Sequence, residues 1–188
     1  MRVVDKKLYN GNQLELDIFK HKFYSEIVKI INQTPDSFNT PEEITNIQKR
    51  LFKKHNWKSR GSRTKVPMYN LINSQVDYVK AFPNNNDFII PITMSLTNNF
   101  VVMVEIQFGE WQKMYHDIIE LNIAIKNKLA HIGILIVPFK QDRLLAQDKI
   151  NKEYLKKRKD RPSFELCVSI CDSPEINIDF PFLVMGID

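Results

Sequence analysis

The octet Phe100 to Gln107, F-V-V-M-V-E-I-Q, limits the folds open to this chain more than any other stretch. Its leading residues are large or β-branched and include neither proline nor glycine, which predicts a strand buried on both faces inside a sheet. It ends, however, in polar residues. Side chains alternate across a strand, so Glu105 and Gln107 point to one face, about 7 Å apart, while Val104, Ile106 and Phe108 point to the other. A carboxylate leaving an apolar strand needs a cation, hydrogen-bond donors or a proton. Water at the strand end meets that need in an ordinary E-x-Q, so the rest of the chain has to decide.

Upstream, Gln13 to Gln33 carries Leu16, Phe19, Phe23, Ile27, Ile30 and Ile31 at spacings of three and four, the pattern of an amphipathic helix. Thr34-Pro35-Asp36-Ser37 ends it. Thr40-Pro41-Glu42-Glu43 opens a second helix with a hydroxyl cap, a proline in the first turn and a glutamate three residues on; that helix runs to about Lys54 and buries Ile44, Ile47 and Leu51. A short strand is expected around Gln75 to Val79, interrupted by Asp77, then a β segment from Phe88 to Leu96 and the Phe100 strand, in the order of a meander. After Gly109 the sequence predicts a helix from Trp111 to Leu129, with Tyr115, Ile118, Ile119, Asn122, Ile125 and Leu129 along one stripe. A buried strand, Gly133 to Val137, follows. Strand, helix and strand in that order imply a parallel pair. Phe164 to Cys171 and Phe180 to Ile187 read as closing strands, and Gln141 to Lys157 as a charged, solvent-facing excursion.

A chain of 188 residues is long enough for one domain with a substantial core and short for two. No apolar run has the length to cross a bilayer, and the segment Met1 to Lys7 has no apolar signal core, so the expectation is a cytoplasmic protein with no membrane partner. Cys167 and Cys171 make neither a disulfide framework nor a zinc set and read as small core residues. The 27 Lys and Arg against 22 Asp and Glu leave +5. The excess gathers at Lys49-Arg50, at Lys53-Lys54-His55, at Lys58, Arg60, Arg63 and Lys65, and in Lys156 to Arg161. Such clusters suit a polyanion, although solvated loops carry them as well.

Acidic side chains at Asp77 and Glu105 on neighbouring strands suggest a metal-dependent phosphodiesterase site. Hydrolysis of a phosphodiester needs an activated water beside phosphorus and positive charge on the oxygens that gain negative charge, and Mg²⁺ held by two carboxylates and a backbone carbonyl supplies both. Asp77, Glu105 and the carbonyl of Ile106 are the expected ligands, Gln107 orients the water, and Lys80 or another nearby base is expected to stabilise the developing charge.

The order of an acid on one strand, E-x-K or E-x-Q on the next, then a helix and a further strand resembles the PD-(D/E)XK nucleases. The Gln variant is similar to the BglII and BstYI group of type II restriction endonucleases. The likeness is carried by Val76-Asp77-Tyr78-Val79-Lys80, Val104 to Gly109, His55-Asn56-Trp57-Lys58 and Phe180 to Ile187. It implies an α/β fold, a restriction-endonuclease-like core of a mixed central sheet flanked by helices, as a single domain over 1–188. Within it lie N-terminal helices (13–54), a catalytic core (75–138) and C-terminal strands (164–187). It also implies Asp77, Glu105 and Gln107 as the catalytic positions, Mg²⁺ as cofactor, and a homodimer cutting both strands of a palindromic double-stranded DNA site, by kinship one with a GATC core. A cognate DNA methyltransferase is the expected companion. The sequence departs from the group in the segment Ala81 to Asn99, which lies between the acid and the E-x-Q and makes Asp87 a competing ligand.

Base reading is expected from Trp111, Gln112 and Lys113 at the helix entrance and from Lys140, Gln141, Arg143, Asp148, Asn151 and Lys152 after the buried strand. The basic segments with Lys58, Arg60, Arg63 and Lys65, and Lys156 to Arg161, are expected to hold phosphates, and Lys80 is expected among the DNA-binding residues. His116 and His131 read as structural histidines. Two further readings share these residues: a repair or recombination nuclease acting on structured DNA, and a DNA-binding regulator in which Glu105 is structural.

Overall fold

The computed structural model describes residues 1–10, 22–36, 41–59, 76–83, 99–109, 111–140 and 162–188. Its elements are β1 (Val3–Tyr9), α1 (Lys22–Gln33), α2 (Pro41–Lys54), β2 (Lys58–Ser59), β3 (Tyr78–Pro83), β4 (Asn99–Ile106), α3 (Trp111–Lys126), β5 (Ile132–Pro138), α4 (Phe164–Cys171) and β6 (Phe182–Ile187). Among the described residues, six strands form one sheet in the order β1-β6-β5-β4-β3-β2. The pairs β4–β5 and β5–β6 are parallel, and β1–β6, β3–β4 and β2–β3 antiparallel. This is the mixed α/β sheet the octet and its neighbours predict.

Strand β4 lies inside the sheet, so both of its faces are covered, and the two faces face different helices. Val102 and Val104 join Ile134, Ile136, Leu183 and Met185 beneath Phe23, Ile27, Ile30 and Ile31 of α1 and Phe52 of α2. Met103, Leu135, Val137 and Val184 pack under Met114, Ile118 and Leu121 of α3 and Cys167 and Ile170 of α4. Gly133 allows α3 to approach β5, since a Cβ there would stand 3.1 Å from the Cβ of Leu121. Two antiparallel edges flank a parallel centre, and the centre is where apolar runs are unbroken.

Several sequence expectations change. Phe164–Cys171 is a helix, not a strand. Its residues alternate, which suggests β, but Phe164, Cys167 and Cys171 are also spaced three and four apart and are buried together. The Ser163 hydroxyl accepts the Leu166 N–H at 3.2 Å, a cap that tips the choice to helix. The C-terminal part of the chain is thus one helix and one strand. Both cysteines are free and buried, as expected of core residues, and hydrogen bonding to Cys171 and burial push the Cys167 thiol well above its usual range. On α3 the buried stripe is Met114, Ile118, Leu121, Ala124 and Ile125, rotated from the predicted one, and Ile119 is exposed. Val3–Tyr9, whose central D-K-K hides its character, is an edge strand, and charged side chains belong on such an edge. Strand β3 begins at Tyr78, so Asp77 stands just ahead of it.

Helix α1 is described from Lys22, and Gln13 to His21 lies outside the described residues, as do Phe88 to Leu96 and Gln141 to Lys157. On α2, Ile44 and Phe52 are buried with Gln48, while Ile47 and Leu51 are half-buried. Among the described residues no helix is long and apolar enough to cross a membrane.

Candidate active site

The site forms where β3 starts and β4 ends. Tyr78 pairs with Val104 in an antiparallel register, which sets the preceding Asp77 across from Glu105. Residues opposite one another share a face. Two hydrogen bonds tie the positions together: the Asp77 N–H donates to Glu105 Oε1 at 3.1 Å, and the Ile106 N–H donates to Asp77 Oδ2 at 3.1 Å. The Gln107 N–H continues the ladder to the Ile136 carbonyl at 2.9 Å, so β5 holds the end of β4 in place.

Glu105 and Gln107 are buried on the α3 face. Helix α3 crosses above them and brings its first three turns to the same space. A cavity of about 520 Å³ is lined by Asp77, Glu105, Ile106 and Gln107 from the strands and by Gln112, Lys113, His116, Asp117 and Glu120 from the helix. The Gln107 amide is held at both ends, its Oε1 accepting the Gly109 N–H at 2.9 Å and its Nε2 donating to Asp117 Oδ2 at 3.1 Å. His116 Nδ1 lies 3.6 Å from Glu120 Oε2 and 4.0 Å from Asp117 Oδ1. One ligand atom from each of His116, Asp117 and Glu120 falls within 4.8 Å of the others.

The electrostatics follow from acids sharing a dry corner. Burial, then the charges of Asp77 and Asp117, pushes Glu105 up to about 10. Burial and Asp77 push Asp117 up to about 6, with the Gln107 amide acting against them. Burial, Asp77 and Glu105 raise the Tyr78 phenol. Like charges crowded in low dielectric favour the protonated forms, and a hard cation reverses that preference.

Asp77, Glu105, Ile106 and Gln107 are therefore brought together, with Gln112 and Lys113 on the rim. Trp111 begins α3 and packs edge-on against Tyr115 at 5.9 Å. Lys58 and Lys140 are exposed. Lys80 does not reach the site: its Nζ contacts Glu26 Oε1 at 2.7 Å and the His55 carbonyl at 2.6 Å, on the face covered by α1 and α2. The reason is strand alternation, since Tyr78 and Phe82 point to that face and Lys80 lies between them. Arg60, Arg63, Lys65, Asp87, Gln141, Arg143, Asp148, Asn151 and Lys152 lie outside the described residues. His131 is structural as expected, its Nδ1 accepting the Val101 N–H at 2.9 Å, whereas His116 sits on the cavity rim.

Asp117 and Glu120 carry no motif that singles them out in the sequence. The available signal was positional: Asp117 falls three residues after Met114 and four before Leu121, both fully buried, so it shares their side of α3. No curated protein matches the chain. Residues 14–166 match a protein-family model described as restriction endonuclease BglII/BglIII.

Proposed function

The chain belongs to the BglII/BglIII restriction endonuclease family and is a type II, site-specific deoxyribonuclease, and from that premise we propose that it makes Mg²⁺-dependent double-strand cuts in palindromic DNA as a homodimer. A GATC-containing site and a cognate DNA methyltransferase complete the proposal. The observation that carries the metal assignment is the opposition of Asp77 and Glu105 in register, with Gln107 beside them on the same wall.

The donors suit a hard divalent ion. They are all oxygens, from Asp77, Glu105 and the Ile106 backbone, and burial crowds the carboxylates so that added positive charge stabilises them. When bound, such an ion supplies Lewis-acid charge at the phosphate and favours deprotonation of the attacking water. The chain's own contribution is placement. Asp77 and Glu105 hold one wall, fixed by the reciprocal hydrogen bonds to each other's strand. Gln107 offers donors and an acceptor without charge, so its role is to orient water and not to take its proton. Lys113, on the cavity rim, takes the part first expected of Lys80, contacting a phosphate oxygen as negative charge grows there.

Plasmid DNA with Mg²⁺ should yield discrete fragments, and sequencing their ends should return one short palindrome with one stagger. Glu105→Ala should lower the cutting rate about a thousandfold, the equivalent of about 4 kcal/mol of transition-state stabilisation, while DNA binding persists. Fragments of random length, or undiminished cutting by Glu105→Ala, would refute the assignment.

A further inference from the structure

We propose that Asp117 is a positioning residue for the cleavage step, fixing which way round the Gln107 amide lies. The inference rests on the role of Gln107 proposed above. A carboxamide has an oxygen end and a nitrogen end of nearly equal size, and only its surroundings select between the two orientations. Here both surroundings select. The Gly109 N–H can only donate, so the end 2.9 Å away is the carbonyl oxygen. A carboxylate accepts, so the end 3.1 Å from Asp117 Oδ2 is the nitrogen. With one amide hydrogen spent on Asp117, the second remains for another acceptor, and water is the acceptor the reaction requires.

Asp117 is well placed to impose this. Its side chain is 14 % exposed, and it rides on α3 between Met114 and Leu121, which are fully buried against the sheet. The helix cannot shift its seat without opening that packing. A reversed amide would turn its carbonyl toward the carboxylate and its NH2 toward the Gly109 N–H, two repulsive contacts in place of two attractive ones.

The test is single-turnover cleavage by the full chain with Mg²⁺, comparing wild type, Asp117→Asn, Asp117→Glu, Gln107→Ala, the Asp117→Asn/Gln107→Ala double variant and Glu105→Ala. Asparagine keeps the shape of aspartate but presents a donor as well as an acceptor, so it no longer discriminates between the amide's ends. Asp117→Asn should cut about tenfold more slowly, with KM for DNA unchanged or lower, and Asp117→Glu should recover part of the rate. In the Gln107→Ala background Asp117→Asn should have no further effect, because the group it positions is gone. Losses that multiply in the double variant, or a wild-type rate for Asp117→Asn while Gln107→Ala and Glu105→Ala are impaired, would overturn this inference alone, and a wild-type rate for Gln107→Ala would overturn it together with the water-orienting role of Gln107. Undiminished cutting by Glu105→Ala would instead bring down the site assignment on which it rests.

Discussion

Replacing Glu105 by glutamine should make the metal-free protein more stable while removing its activity. Glu105 is 4 % exposed and stands among other acids, so its folded pKa rises from 4.5 to about 10. The sign is set by proton counting: between those values the folded chain holds a proton that the unfolded chain has released, so stability falls as pH rises. It is fully present below the unfolded value and is lost progressively above it. Each pH unit in that window removes at most about 1.4 kcal/mol, so three units, to pH 7.5, set a ceiling of about 4 kcal/mol. Neighbouring carboxylates share the strain and glutamine must still find partners, so a net gain of about 2 kcal/mol is expected for Glu105→Gln at pH 7.5. For a chain of this length that corresponds to about 4–8 °C in Tm. Thermal unfolding in a chelator at pH 5, 7.5 and 9 measures it, and the advantage of the variant should widen at each step. Added Mg²⁺ should then raise the wild-type Tm and leave that of the variant nearly unmoved. A variant less stable than wild type at every pH, with a parallel pH profile, would show that Glu105 is satisfied by its own hydrogen bonds and carries no stored repulsion.

Gly109→Ala should slow cutting about tenfold with DNA affinity intact, because its new Cβ would stand 3.2 Å from Gln107 Oε1 and displace the amide; unchanged single-turnover rates would contradict this. Glu26→Gln should cost about 2 kcal/mol of stability by leaving Lys80 without its counter-charge in a mostly buried pair, yet folded molecules should cut at the wild-type rate, since the pair lies on the face away from the cavity. Denaturant unfolding and active-site-normalised kinetics separate the two effects. Lys58→Ala should lower the slope of log affinity against log salt by about one without altering the sequence cut, as expected of an exposed lysine on a phosphate.

The sequence by itself determined the centre of this protein. Uninterrupted apolar runs at β4 and β5 have one stable home, the inside of a sheet covered on both faces, and the helix between them forces the pair to be parallel. Strand alternation placed Glu105 and Gln107 on a common wall, and the V-D-Y-V-K segment marked Asp77 as their partner. Where two periodicities coexisted, local pattern failed. Phe164–Cys171 satisfies a strand and a helix alike, and the Ser163 cap with a place beneath β6 decided between them. Proximity in sequence points Lys80 to the site, but it lies three residues after Asp77, and an odd step along a strand leads to the opposite face of the sheet. Asp117 and Glu120 became part of the site only through the docking of α3 over β4, a contact between residues without a shared motif. Periodicity is a property of neighbours along the chain, so it reports which face a residue takes. Which helix covers that face is settled by the packing of the whole sheet, and that is why Asp77, just ahead of β3, and Glu105 of β4 are legible in the sequence and the acids of α3 are not.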